Sequence, residues 1–178
     1  MKSSGLILIA ALAAPALAQN SPPARDPGLQ KIVQIAIVTR DIEASAKRWS
    51  ALLGMPVNPI STTRPGREVR MVVGGKPSDA QVKLTFFKLG QVVLELMQPL
   101  GGESSWQRGL DRNGESVHHI GFQVADLDGS MKLLESLGYK MEHRGRYDKD
   151  NGDYVYYGTE KALGVLVELL HSDPPAKR

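Results

Sequence analysis

Runs of apolar residues broken by polar, Gly and Pro positions divide the chain into elements. Ile32 to Val38 reads as a buried strand, and Asp41 as the N-cap of a helix from Ile42 to about Leu53. Ile42, Ala46, Trp49, Leu52 and Leu53 share one face of that helix, and Gly54 stops it. Met55 to Ile60 is short and extended, and Ser61 to Arg67 is a loop with Pro65-Gly66 as its turn. Strands follow at Glu68 to Val73, Val82 to Leu89 and Val92 to Gln98, the first two separated by a loop from Gly74 to Asp79. The connection from Pro99 to Gly114 has room for a helical turn near Glu103 to Leu110. The same order then returns: a strand from Val117 to Val124, and a helix capped by Asp126, running to Leu137 and ended by Gly138. Strands come last, at Lys140 to Arg146, Tyr154 to Gly158 and Gly164 to Leu170, with a charged turn from Asp148 to Asp153.

The recurrence extends to individual residues. Gln34 to Glu43 aligns with His119 to Asp128 without a gap, so that Ile35 matches Ile120, Ala36 matches Gly121 and the cap Asp41 matches Asp126. The closing strands match as well, Gly90 leading to Glu95-Leu96-Met97 as Gly164 leads to Glu168-Leu169-Leu170. The chain is therefore expected to be α+β, with two tandem βαβββ modules over 31–100 and 115–171.

Composition narrows the functional classes. A hydrophobic share of 42% in 178 residues supports a real core, and a formal net charge of +3 is mild and scattered. No basic stripe with interleaved aromatics exists, which argues against a nucleic-acid partner. The absence of cysteine excludes disulfides, thiolate metal sites and a Cys nucleophile. Lys2, an apolar run from Gly5 to Ala14 and the Ala16-Leu17-Ala18 end together read as a signal peptide over 1–18. A Pro-rich linker over 19–30 follows, and residues 172–178 form a tail. The mature protein is thus expected to be periplasmic or secreted, with no membrane span after cleavage.

Four side chains stand out against this pattern. Glu95 and Glu168 interrupt strands that otherwise read as core, where an acid is rarely buried unless it is paired or bound to a metal. Gln34 and His119 occupy equivalent places in the two opening strands. If the modules pair about a pseudo-two-fold axis, within one chain or across a homodimer, equivalent residues face each other. One imidazole, one amide oxygen and two carboxylates would then converge. Such a set suits one divalent ion: zinc, nickel, cobalt, manganese or iron(II). His118 neighbours His119 in the strand, so strict alternation points it to the opposite face. His143 and His171 read as surface residues.

The stretches Val117-His118-His119-Ile120-Gly121-Phe122-Gln123-Val124, Leu94 to Leu100 and Gly164 to Leu170 resemble the vicinal oxygen chelate superfamily, and in particular its methylmalonyl-CoA epimerase-like members. The resemblance runs from Ile32 to Leu170. It implies a cupped mixed sheet of the glyoxalase/bleomycin-resistance type, wrapped around a metal site, with Gln34, Glu95, His119 and Glu168 as the ligands. The first ligand of the epimerases is commonly His, whereas some glyoxalase I enzymes carry this Gln, Glu, His, Glu set. Glutathione-binding residues of the glyoxalase I type are missing, because Val38, Pro99 and Glu115 stand in their places. The extra acid of the epimerases has only Glu68 as a loose counterpart, and coenzyme A thioesters are cytoplasmic while this chain looks exported. The ring-cleaving dioxygenase branch uses two His and one Glu, which this chain does not reproduce.

The expected activity is proton transfer next to a carbonyl of a small molecule, an isomerisation or epimerisation, with Glu168 as the base and Glu95 as its partner. The alternatives are a metal-dependent lyase of the glyoxalase I type and a protein of the same fold that binds small molecules without chemistry.

Overall fold

The computed structural model describes residues 28–175. The signal peptide expected over 1–18 and most of the linker expected over 19–30 lie outside the described residues. Among the described residues no helix is long and apolar enough to cross a membrane.

The two repeats fold as one mixed sheet. The first module supplies β1 (Ile32–Val38), helix α1 (Ile42–Leu53), the short β2 (Ser61–Thr62), β5 (Val82–Leu89) and β6 (Val92–Pro99). Helix α2 (Ser105–Asn113) links it to β7 (Ser116–Gln123), helix α3 (Leu127–Ser136), β8 (Met141–Arg146), β9 (Gly152–Tyr157), the short helix α4 (Glu160–Leu163) and β10 (Leu166–Ser172). A hairpin of β3 (Val72–Val73) and β4 (Lys76–Pro77) is inserted in the first module. The strand order is β2-β5-β6-β1-β7-β10-β9-β8-β3-β4. Both long helices start as the sequence predicts, with Asp41 accepting from the Ala44 amide and Asp126 from the Gly129 amide at 2.9 Å each.

The pseudo-two-fold axis passes between β1 and β7. These strands run antiparallel, and the repeat-equivalent residues Ile35 and Ile120 are each other's partners. Gln34 pairs with Gly121 and Ala36 with His119, each pair the mirror of the other. Each central strand then takes a parallel neighbour, which sets Ala36 beside Glu95 and Gly121 beside Glu168. The modules therefore pair within one chain.

The sheet has two faces with different packing. On the convex face α1 buries Ile42 and Ala46 against Phe87, Leu94 and Leu96, and α3 buries Leu134 against Val155, Tyr157 and Leu169. On the concave face Ala36, Val38, Val82, Met97, Trp106 and Tyr156 form the inner core. Period-2 alternation sorts the strands between these faces, so Leu94 and Leu96 go to the helix and Glu95 goes inward.

The structure corrects the expected strand over Glu68 to Val73. Gly66–Val69 is a 3-10 turn, and only Val72–Val73 is extended. Arg70 takes a left-handed conformation with φ 54°, which ends the turn, and the Met71 amide donates back to the Gly66 carbonyl at 2.8 Å. Gly66 is needed there, because a Cβ would lie 2.6 Å from the Ser78 carbonyl oxygen. Apolar Val69 and Met71 suggested a strand, but they are core residues on a compact turn. This segment carries the chain from β2 at one end of the sheet to β3 at the other, where Val72 and Val73 pair with β8. The step is short enough to require that the sheet curls until its ends approach. Across the gap the Arg64 amide donates to Asp148 and the Arg64 guanidinium to the Asp148 carbonyl.

Candidate functional site

The curled sheet encloses a cavity of about 430 Å³. Gln34, Glu95 and Glu168 reach it from β1, β6 and β10, and His119 lies behind them, fully buried on β7. The structure thus brings all four singled-out side chains together. The Gln34 amide nitrogen donates to Glu95 Oε2 at 2.6 Å and lies 3.2 Å from His119 Nε2. His119 Nε2 also faces Glu168 Oε2 at 3.0 Å and Glu95 Oε2 at 3.6 Å. Ala36 and Gly121 are small because the two acids flank them. A Cβ on Gly121 would lie 3.0 Å from both Glu168 Oε2 and the Gln34 Cβ.

His119 Nε2 accepts from Gln34, so its proton sits on Nδ1, which faces His118 Nδ1 at 2.9 Å. His119 Nε2 and Glu168 Oε2 are then two acceptors 3.0 Å apart, and the Glu168 oxygen has no hydrogen-bond donor. A proton or a cation between them removes the conflict. The Gln34 amide occupies a place that faces only acceptors, and a half-turn of that amide would present its oxygen instead. One imidazole nitrogen, two carboxylate oxygens and an amide oxygen are a donor set that fits a divalent ion.

Electrostatics agree with this description. Burial raises the Glu168 carboxyl well above its ordinary value, with the Tyr156 hydroxyl partly opposing the shift. Burial raises Glu95 too, the Glu168 charge adds to the effect, and the Gln34 hydrogen bond works against it. Burial lowers His118, His119 and His143 to about 3.

These shifts set the pH dependence expected of metal-free protein. A raised carboxyl contributes stability that is complete below its unfolded value of 4.5 and is lost as pH rises toward about 8. A lowered imidazole contributes stability that is complete above 6.5 and is lost as pH falls toward 3. Between pH 6.5 and 8.5 only the carboxyl effect operates. With a chelator present, the melting temperature should therefore fall across that interval. A flat or rising melting curve would show that the two acids do not share a desolvated site.

Three histidines depart from the sequence reading. His118 was expected on the opposite face, but β7 carries a bulge. Ala36 pairs with His119 while Ile37 pairs with Val117, so His118 is the extra residue and turns inward. It is 5% exposed and packs under α2, where a Cβ on Gly109 would lie 2.8 Å from its ring. His143 is fully buried rather than on the surface, bonded to Ser105 Oγ at 2.9 Å and 4.5 Å from the Trp106 ring. Its neighbours come from α2 and β9, which sequence distance conceals. His171 is half-buried near Asp153 and Asp173, and Arg146 already bridges those two acids as an ion-pair network. Glu68, the loose counterpart of an epimerase acid, is half-exposed and pairs with Arg64 at 3.1 Å, outside the cavity wall.

Sequence reasoning also missed three tyrosines. Tyr147, Tyr154 and Tyr156 line the cavity beside Glu168. The alternation of Tyr154 and Tyr156 along β9, facing the same way as Glu168 on β10, was a readable signal.

Comparisons with known proteins agree with this architecture. A methylmalonyl-CoA epimerase from Mycobacterium tuberculosis superposes with a TM-score of 0.59 at 20% identity, over 82% of this chain and 90% of that one. A methylmalonyl-CoA epimerase from Streptomyces coelicolor, in complex with 2-nitronate-propionyl-CoA, gives 0.60 at 23% identity over 82% and 99%. Both likenesses concern the fold. The uncharacterized protein YqjC of Bacillus subtilis is 30% identical over 92 residues, which span 51% of this chain and 66% of YqjC, just under two thirds of its length. The model of the glyoxalase/bleomycin resistance protein/dioxygenase superfamily matches residues 33–157, which hold both opening strands, three of the four converging side chains and the bulged β7. With the paired modules and the cupped sheet, that match makes the chain a member of the glyoxalase/bleomycin resistance protein/dioxygenase superfamily.

Proposed function

We propose that this protein is a divalent-metal-dependent enzyme of the epimerase or isomerase type, which moves a proton next to a carbonyl of a small oxygenated molecule. The observation that carries this reading is the convergence of Gln34, Glu95, His119 and Glu168, with two acceptors 3.0 Å apart at its centre. His119 would hold the ion through Nε2, Glu95 and Glu168 through a carboxylate oxygen each, and Gln34 through its amide oxygen. When bound, the metal supplies Lewis-acid charge that offsets the two carboxylates and stabilises negative charge on the reacting carbonyl oxygen. Structural likeness to epimerases supports this class of reaction. The Lys2 to Ala18 pattern supports a reaction outside the cytoplasm.

Glu168 is the base that takes the proton. Its Oε2 has no hydrogen-bond partner, and its carboxyl sits beside Tyr154 and Tyr156 on the cavity wall.

Elemental analysis tests the reading, with one divalent ion per chain expected. His119→Ala should lose most of it. His118→Ala should weaken binding by about 10- to 100-fold without abolishing it, because His118 orients the ring of His119 from behind. Protein without metal under all loading conditions would overturn the proposal, and equal loss in both variants would overturn the division of labour.

A further inference from the structure

The cavity beside the four converging side chains has a chemical character of its own. Aliphatic and aromatic side chains make up most of its wall, with Val93 and Met97 from β6, Val82, Leu84 and Phe86 from β5, and Trp106 from α2. Its polar atoms are concentrated in two places. At the floor stand Gln34, Glu95 and Glu168, and at the rim stand Thr63, Gln123, Arg146 and Asp148. Arg146 is the only cation lining the cavity among the described residues. It is already bonded to Asp150, Asp153 and Asp173, so it has little left for an anionic ligand.

We infer that the cavity takes a compact, uncharged ligand with an apolar body of about two fused rings, its oxygen-bearing end toward Gln34, Glu95 and Glu168. This rests on the function proposed above for the floor and names the substrate class. Size supports it, because an apolar cavity of about 150 Å³ accommodates benzene, and this one is nearly three times larger at about 430 Å³. Shape supports it as well. The 3-10 turn over Gly66–Val69 delivers Val69 and Met71 to the wall, facing β5 and β6 across the cavity. A polar triose with the same oxygen-bearing end would leave that wall uncovered. Each methylene-sized piece of apolar body buried there is worth about a fourfold gain in affinity.

Calorimetric titration of the metal-loaded mature protein tests this with two probes that share the hydroxyketone end. These are 2-hydroxy-1-(naphthalen-2-yl)ethanone and dihydroxyacetone. The naphthyl probe should bind at least tenfold tighter, with a negative heat-capacity change that marks apolar burial. Val93→Trp and Leu84→Trp fill the cavity from two different strands. Each variant that retains a cooperative thermal transition should weaken the naphthyl probe at least tenfold and change dihydroxyacetone little. Equal affinity for the two probes, no binding of either, or a filled cavity that binds the naphthyl probe unchanged would overturn the inference. Metal content of the same preparation separates the two ideas. Metal-free protein that still prefers the naphthyl probe would sink the proposed function alone, and metal-bound protein without the preference would sink the inference alone.

Discussion

Glu168→Gln should lower turnover by about a hundred- to ten-thousand-fold, the contribution typical of a positioned general base. The amide keeps an oxygen that can face the ion, as proposed for Gln34, and it removes the basicity that takes the proton. The loss should therefore appear while a substantial share of metal remains. Glu95→Gln should cost less, because Glu95 is assigned to holding the ion and not to the proton. The two acids are equivalent by the repeat, but the substrate has no two-fold symmetry, so only one can stand next to the moving proton. Exchange of solvent deuterium into a hydroxyketone, followed beside metal content, measures both variants. Full exchange by Glu168→Gln with metal bound, or a dead Glu95→Gln beside an active Glu168→Gln, would refute the assignment.

The largest stability loss is expected for Trp106→Ala. Trp106 is 4% exposed, belongs to the inner core, and donates from Nε1 to the Tyr156 hydroxyl at 3.2 Å. It also packs on the rings of His143 and Tyr154. Truncation removes this contact area and leaves a void that the curled sheet cannot close, at a cost of about 3–5 kcal/mol. Trp106→Phe retains most of the packing and loses the hydrogen bond, so it should cost about 1 kcal/mol. Urea denaturation followed by circular dichroism measures both. A loss under about 1 kcal/mol for Trp106→Ala would mean that α2 is not part of the cooperative core.

The repeat made most of this molecule legible in advance. β1, α1 and β5 begin and end where the apolar pattern places them, because each has a clear cap, a Gly stop or a tight turn at its boundary. The convergence of the four side chains followed from pairing equivalent positions, and the Ile35–Ile120 pair shows why that reasoning held. What stayed hidden depended on departures from the repeat. The bulge at His118 breaks the alternation of β7, and nothing local in the sequence announces an extra residue. The segment from Gly66 to Val73 alternates like a strand, yet Val69 and Met71 reach the cavity from a 3-10 turn and its exit, and only Val72–Val73 is extended. His143 resembles a surface residue among charged neighbours, until α2 is laid over it.

The hairpin of β3 and β4 belongs to the first repeat in sequence and to the second in space. An ancestral half-chain that closed on a copy of itself could have exchanged this hairpin between subunits. In the joined chain the exchange is internal and irreversible by dilution. A polypeptide cut near Gly101 would yield a first half with a stranded hairpin and a second half whose β8 has lost its partners at His143 and Arg144. During synthesis the hairpin must wait for β8, more than sixty residues later in the chain, before it has anything to pair with. Long-range closures of this kind slow folding, so the cup can hold a ligand only once the second half has been made and wrapped around the first.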